Sequence, residues 1–289
     1  MLQQLLNGLM IGSSYALVAI GYTLVFGVLR LLNLAHPEIF MASGFIALAI
    51  AGTGIPLVPA TLLAILACGL LGIALYYVAF RPLRTQDLLA GFITSLAFGL
   101  VLRTIIVEKY GATVRPFPEL MEGGNFEVAG TLVSVVDVAV LSISLALMVG
   151  LTIAINRTAS GRRIRAVASN PRAAALLGVP IREVFVIAFF LSSLFAGMAG
   201  LLSAIRFEGI SPFVGLEIGL KALAVMVIGG LGDIRGAFVA GVSLGMIEAI
   251  LQVMAGPGWA DGLVWAALIL TLLIKPAGLF SRVAFEREV

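Results

Sequence analysis

The residues able to do ionic or acid–base chemistry in this 289-residue chain are few, and most stand in apolar surroundings. Asn33, His36 and Glu38 lie close together, and His36 with Glu38 is the only plausible acid–base pair for an enzyme. Glu217 and Lys221 are four apart, in the Glu-before-Lys order that favours pairing on a helix. Glu248 stands alone in an apolar run and needs a partner, for which Lys221 is a candidate. Ionisable groups in such settings are costly, and they usually face a bundle interior or a water-filled path. Two readings stay open for Asn33, His36 and Glu38: a pathway, gating or subunit-contact role, or a structural hydrogen-bond network that fixes a bend. For Lys221 the choice is between neutralising Glu217 and lining a path.

Several chemistries are excluded. One histidine and one cysteine, Cys68, cannot build a zinc site of several His or Cys ligands, and no disulfide within the chain is possible. Cys68 reads as a small apolar packing residue. The chain has no G-x-x-x-x-G-K-[ST] phosphate loop, no H-E-x-x-H and no G-x-S-x-G. Gly229-Gly230-Leu231-Gly232 lacks the spacing and the strand–turn–helix setting of a dinucleotide loop. The net charge of +3 is small and the basic residues lie between apolar blocks, which argues against nucleic acid as a partner.

The elements that must position these residues are membrane helices. The chain is 61% hydrophobic and 11% charged, where soluble domains carry about 25% charged residues. Residues 5–27, 39–80 and 184–205 contain no charge, and roughly 20 apolar residues suffice to span a bilayer. Backbone groups in hydrocarbon must be satisfied internally, so these runs are helices. The expected fold is a single all-α domain over 1–289, a polytopic bundle of about eight or nine spans. They lie near 5–27, 38–54, 57–80, 88–107, 135–155, 184–205, 216–232, 236–255 and 260–274. The seventh, which contains Lys221, and the short last one are candidates for broken or re-entrant helices. Met1-Leu2-Gln3-Gln4 lacks a basic n-region, so the first apolar run is expected to stay in the protein. Small residues recur four apart at Gly8/Gly12, Ser193/Gly197 and Gly241/Gly245, a spacing that lets helix backbones approach closely.

Charge orients the bundle. The loop of about 156–183 holds six arginines against one acid, and short basic loops stay in the cytoplasm. Counting spans outward puts Arg30, Arg81, Arg84, Arg235, Lys275, Arg282 and Arg287 on the same side. The opposite loop, about 108–134, is acidic. This predicts an external N-terminus and a cytoplasmic C-terminus, with Asn33, His36 and Glu38 on the cytoplasmic side and Arg103 snorkelling toward the external interface.

Within the basic loop, Asn170 is a good N-cap, Pro171 suits the first helical position, and Gly178 supplies a left-handed C-terminal turn. The spacing predicts a helix of about two turns at 171–177, outside the membrane. Such an apolar-faced helix suits docking in a groove of a partner, or packing on its own spans.

The segment from Gly161 to Gly178, with Arg165-Ala166, Asn170, Ala174 and Leu177-Gly178, resembles the coupling segment of ABC importer permeases. More specific are Asn7-Gly8-Leu9-Met10-Ile11-Gly12-Ser13-Ser14-Tyr15-Ala16-Leu17, Phe26-Gly27-Val28-Leu29-Arg30 and Asn33-Leu34-Ala35-His36-Pro37-Glu38, with Lys221-Ala222, Gly229-Gly230-Leu231-Gly232, Gly236-Ala237 and Glu248. Together they resemble the H-type permease subunit of branched-chain amino acid ABC transporters (LivH-like). Pro37 departs from the glycine usual in that family.

The resemblance implies a heteromeric assembly in a prokaryotic cytoplasmic (inner) membrane. Its members are this subunit, a second permease, two ATPase subunits and an external substrate-binding protein. The ATPases would use ATP, this chain would bind no cofactor, and Arg165, Asn170, Ala174, Leu177 and Gly178 would couple the two. Branched-chain or related small amino acids would cross by alternating access. A permease for neutral amides or urea in the same family is the alternative. A stand-alone secondary transporter or channel would work without partners and usually shows internal repeats, of which the sequence has no clean instance.

Overall fold

The computed structural model describes residues 2–83, 88–118, 124–128, 131–275 and 277–280. Among them the chain is a bundle of helices, the all-α membrane architecture expected. Arg84, Arg282 and Arg287 lie outside the described residues.

Six helices are long and apolar enough to cross a bilayer. These are α1 (Leu2–Leu29), α3 (Leu57–Leu75, continued as a π-helical turn Tyr76–Phe80), α4 (Leu88–Tyr110), α5 (Val135–Arg157), α8 (Ile181–Arg206) and α10 (Ile234–Met254). Three more are shorter: α2 (His36–Ala51), α9 (Val214–Gly229) and α11 (Pro257–Ile274). The 16 residues of α2 or α9 rise about 24 Å, less than the ~30 Å hydrocarbon core. Short α6 (Ala159–Ser169) and α7 (Pro171–Leu176) form an elbow between α5 and α8. Two small ribbons add strands that the sequence pattern did not announce. β1 (Arg115–Pro116) pairs antiparallel with β4 (Gly209–Ile210), and β2 (Asn125–Val128) pairs with β3 (Thr131–Ser134).

α1 is the central helix. Of its apolar window 83% is buried, against 22% for α4 and α5, whose outer faces show leucine, isoleucine and valine to the surroundings. Its main partner is α10, and the seam is made of the expected glycines. A Cβ on Gly8 would sit 2.6 Å from the Met246 Cα, one on Gly12 2.7 Å from the Gly241 carbonyl, and one on Gly241 2.8 Å from the Ala16 Cα. Backbone therefore meets backbone, which in lipid replaces the hydrophobic drive that holds soluble helices together. The Ser193/Gly197 pair does the same for α8 against α3, where a Cβ on Gly197 would lie 2.7 Å from the Cys68 Cβ. Cys68 is buried in this contact, as a packing residue. The α9–α10 connection is closed by Gly230 and Gly232, both at positive φ, so the glycines of 229–232 serve a tight turn.

Pro37 fits where it stands. It occupies the first turn of α2, where no intrahelical donor is needed. Its ring and carbonyl press on Gly219 and Gly215 of α9, which leave the room a side chain would fill.

Candidate translocation and coupling sites

Beyond α1 the chain turns at Arg30 (φ 59°) and runs back into the bundle before α2 begins. Asn33 is buried, and its side-chain oxygen accepts from Ala35 N at 3.1 Å. His36 starts α2 deep inside. Its Nε2 lies 3.2 Å from the Val18 carbonyl, midway along α1, and its Nδ1 3.2 Å from Ser192 Oγ, midway along α8. A carbonyl only accepts, so Nε2 carries a proton and donates it to Val18. Ser192 Oγ also lies 2.9 Å from the Gly21 carbonyl, to which its one hydroxyl proton is donated. Gly21 leaves space for the imidazole, since a Cβ there would fall 2.5 Å from the ring. Tyr22 stacks at a tilt on the other side, 4.7 Å between centroids. His36 thus has partners on both nitrogens and ties the re-entry bend to α1 and α8.

Glu38 lies two residues along, about half a turn on, packed by Gly99 at the middle of α4. It takes a two-point hydrogen bond from Arg103, with Nε to Oε2 at 3.1 Å and a second contact from Nη2 to Oε1. Two expectations change here. Arg103 does not snorkel; it turns inward, because an otherwise unpaired buried carboxylate offers more than the interface does. And His36 and Glu38 meet α1, α8 and α4 near mid-length, at Val18, Ser192 and Gly99, rather than at the bundle end where α6 and α7 lie.

A second buried cluster joins α1, α9, α10 and α11. Lys221 Nζ lies 2.7 Å from Glu248 Oε1 and 2.7 Å from Asp261 Oδ1, with Glu217 at 4.0 Å. The expected Glu217–Lys221 pair is therefore the loosest of the three, and Glu217 is largely exposed. Glu248 is 1% exposed and also accepts from Tyr15 Oη at 3.3 Å and Gln252 Nε2 at 3.4 Å. The Lys221 ammonium stands 5.8 Å from the Tyr15 ring centroid. Next to this cluster Arg206, at the end of α8, pairs with Asp137 in the first turn of α5 at 3.1 Å. Arg206, Lys221 and Glu248 share the lining of one cavity of about 260 Å³.

The elbow is built as the turn chemistry requires. Thr158 caps α6 through Gly161 N at 3.0 Å, and Asn170 caps α7 through Ala173 N at 3.0 Å. Gly178, at φ 77°, ends α7, and Val179 N returns to the Ala174 carbonyl at 3.0 Å. Arg165 donates to the Ile155 carbonyl and so pins α6 to the end of α5. Ala174 faces inward and is buried, whereas Leu176 and Leu177 are 90% and 84% exposed. Of the five residues expected in coupling, Leu177 is on the free surface and the other four shape the elbow.

Residues 4–273 match the family described as branched-chain amino acid transport system / permease component. The chain belongs to this permease family. It is 32% identical to the high-affinity branched-chain amino acid transport system permease protein BraD of Pseudomonas aeruginosa, over 99% of this chain and 97% of that protein. It is 31% identical to the permease protein LivH of Escherichia coli K12 over the same shares. A weaker likeness, 30% over 42% of this chain, links it to the autoinducer 2 import system permease protein LsrC of Klebsiella pneumoniae.

In this permease, then, the structure joins Lys221 to Glu248 and places His36 and Glu38 in one re-entry bend, but keeps the two groups as separate clusters. It also brings in Tyr15, Asp137, Ser192, Arg206, Gln252 and Asp261, which the sequence reading passed over. A signal existed for Arg206 and Asp137. They are opposite charges at the ends of two long apolar runs, on the side where basic residues are scarce.

Proposed function

We propose that this chain is the membrane-spanning permease subunit of an ABC importer that moves branched-chain amino acids inward by alternating access. The observation that carries the reading is family membership across residues 4–273, at near-complete coverage of both BraD and LivH, whose names state that substrate class. The elbow supports it. A capped helix with two adjacent, nearly fully exposed leucines, flanked by arginines, suits docking in an apolar groove of a separate ATPase. ATP would be bound there and not by this chain. A second permease, two ATPase subunits and an external binding protein complete the assembly in the inner membrane. We take the bundle as nine crossings, α1–α5 and α8–α11, with the N-terminus external and the elbow and C-terminus cytoplasmic, as the arginines of 157–182 favour. Asn33, His36 and Glu38 hold the re-entry bend, and Lys221 with Glu248 borders the path.

The test is uptake of labelled leucine by the assembled complex, together with co-purification of the ATPase. Leu176→Asp/Leu177→Asp should abolish both while leaving the permease folded in the membrane. ATP-independent transport by the single chain at the full rate would overturn the reading. Thermal-shift screening of the external binding protein against amino acids, neutral amides and urea would identify the solute.

A further inference from the structure

Two buried groups of opposite charge border the same cavity, and each keeps one polar atom unused. Arg206 gives Nε to Asp137, while its Nη1 is buried with no hydrogen-bond partner among the described residues. Glu248 takes Lys221, Tyr15 and Gln252 on Oε1, while its Oε2 is equally without a partner. Buried polar atoms are normally satisfied, so two unsatisfied ones of complementary sign beside one cavity call for an explanation. Lys221 leaves no such vacancy, being engaged with both Glu248 and Asp261.

We propose that this cavity is a transient binding site for an α-amino acid zwitterion, with the carboxylate on Arg206 and the ammonium on Glu248. The inference rests on the importer reading above and adds to it how the solute's charged end is recognised. The cavity of about 260 Å³ equals roughly eight or nine waters at ~30 Å³ each, which is room for a small amino acid. Ile11, Val214 and Ile218 give it an apolar wall suited to an aliphatic side chain. The unpartnered Nη1 of Arg206 offers a carboxylate a charge-assisted hydrogen bond. The surrounding ions favour the ammonium, because Asp137, Glu217, Glu248 and Asp261 outnumber Arg206 and Lys221. Neutral amides and urea have neither charge, so this lining selects against them.

The experiment uses the full chain in lipid nanodiscs and saturation-transfer NMR with leucine, leucinamide and 4-methyl-2-oxopentanoate, which lack neither charge, the carboxylate and the ammonium respectively. Leucine should bind about tenfold or more tighter than either analogue. Arg206→Gln should erase the preference over leucinamide, and Glu248→Gln the preference over the keto acid. Equal binding of all three ligands by the unaltered chain, or no leucine binding at all, overturns the proposal without reference to any variant. So does an unchanged preference in both variants. ATP-driven leucine uptake by the assembled complex is measured in parallel. Uptake with a flat ligand series sinks this site and spares the importer, whereas no ATP-driven uptake sinks the importer reading itself.

Discussion

Replacing Lys221 with methionine removes the cation from a buried cluster with little loss of volume, and the geometry says which carboxylate suffers. Glu217 is 4.0 Å away and exposed, so its loss is negligible. Asp261 is about half exposed, and water replaces most of what Lys221 gave it. Glu248 is 1% exposed with Lys221 at 2.7 Å, so Lys221→Met strands a buried anion. Breaking a buried pair from one side costs about 3–5 kcal/mol. Glu248→Gln should cost less, about 1–2 kcal/mol, because Lys221 keeps Asp261 and Tyr15 keeps a hydrogen-bond partner. The double variant removes both charges and should cost close to Glu248→Gln alone, giving a coupling close to the Lys221→Met cost, about 3–5 kcal/mol. Equilibrium unfolding in mixed micelles reads this directly. The chain's two tryptophans, Trp259 and Trp265, are both in α11 beside Asp261, so their fluorescence reports the detachment of that helix. Additive costs, or a Lys221→Met cost under about 1 kcal/mol, would refute the argument.

Arg103→Ala leaves Glu38 buried beside Gly99 without its cation and should cost about 3–5 kcal/mol in the same assay, with Arg103→Lys intermediate because the two-point geometry is lost. Gly12→Val places a side chain 2.7 Å from the Gly241 carbonyl and should lower stability by at least about 1–3 kcal/mol, read as an earlier thermal transition in detergent. The same change at Gly150, which has nothing within 4 Å, should be close to neutral apart from propensity.

The long apolar blocks made the helices legible, because a bilayer demands length and uniform apolarity and both are written locally. The seam of Gly8, Gly12, Gly241 and Gly245 was legible as two separate motifs, and their pairing was not. The short helix α7 was readable in full, since Asn170, Pro171 and Gly178 act on their own neighbours. What the sequence concealed was depth and partnership. Nothing local says that Arg103 faces Glu38 from another helix, nor that the loop after Arg30 runs back inward. α6 was missed because its arginines mask an amphipathic pattern whose apolar side is only Ile164 and Val167. Asp137 and Arg206 looked like ordinary span ends until α5 and α8 were seen to meet there.

The centrality of α1 bears on how the molecule is made. α1 leaves the ribosome before the other described helices, yet its glycine face is covered by α10, its Val18 and Gly21 carbonyls by the bend and α8, and Tyr15 by α9 and α10. During synthesis that face meets only lipid, which cannot fill the notches left by Gly8 and Gly12 or satisfy Glu248 when it arrives. Insertion and folding are therefore distinct stages here, and the second waits until the tenth helix has entered the bilayer. Until then α1 stays unsettled, and a truncation before α10 would present quality-control proteases with a span that has no seat.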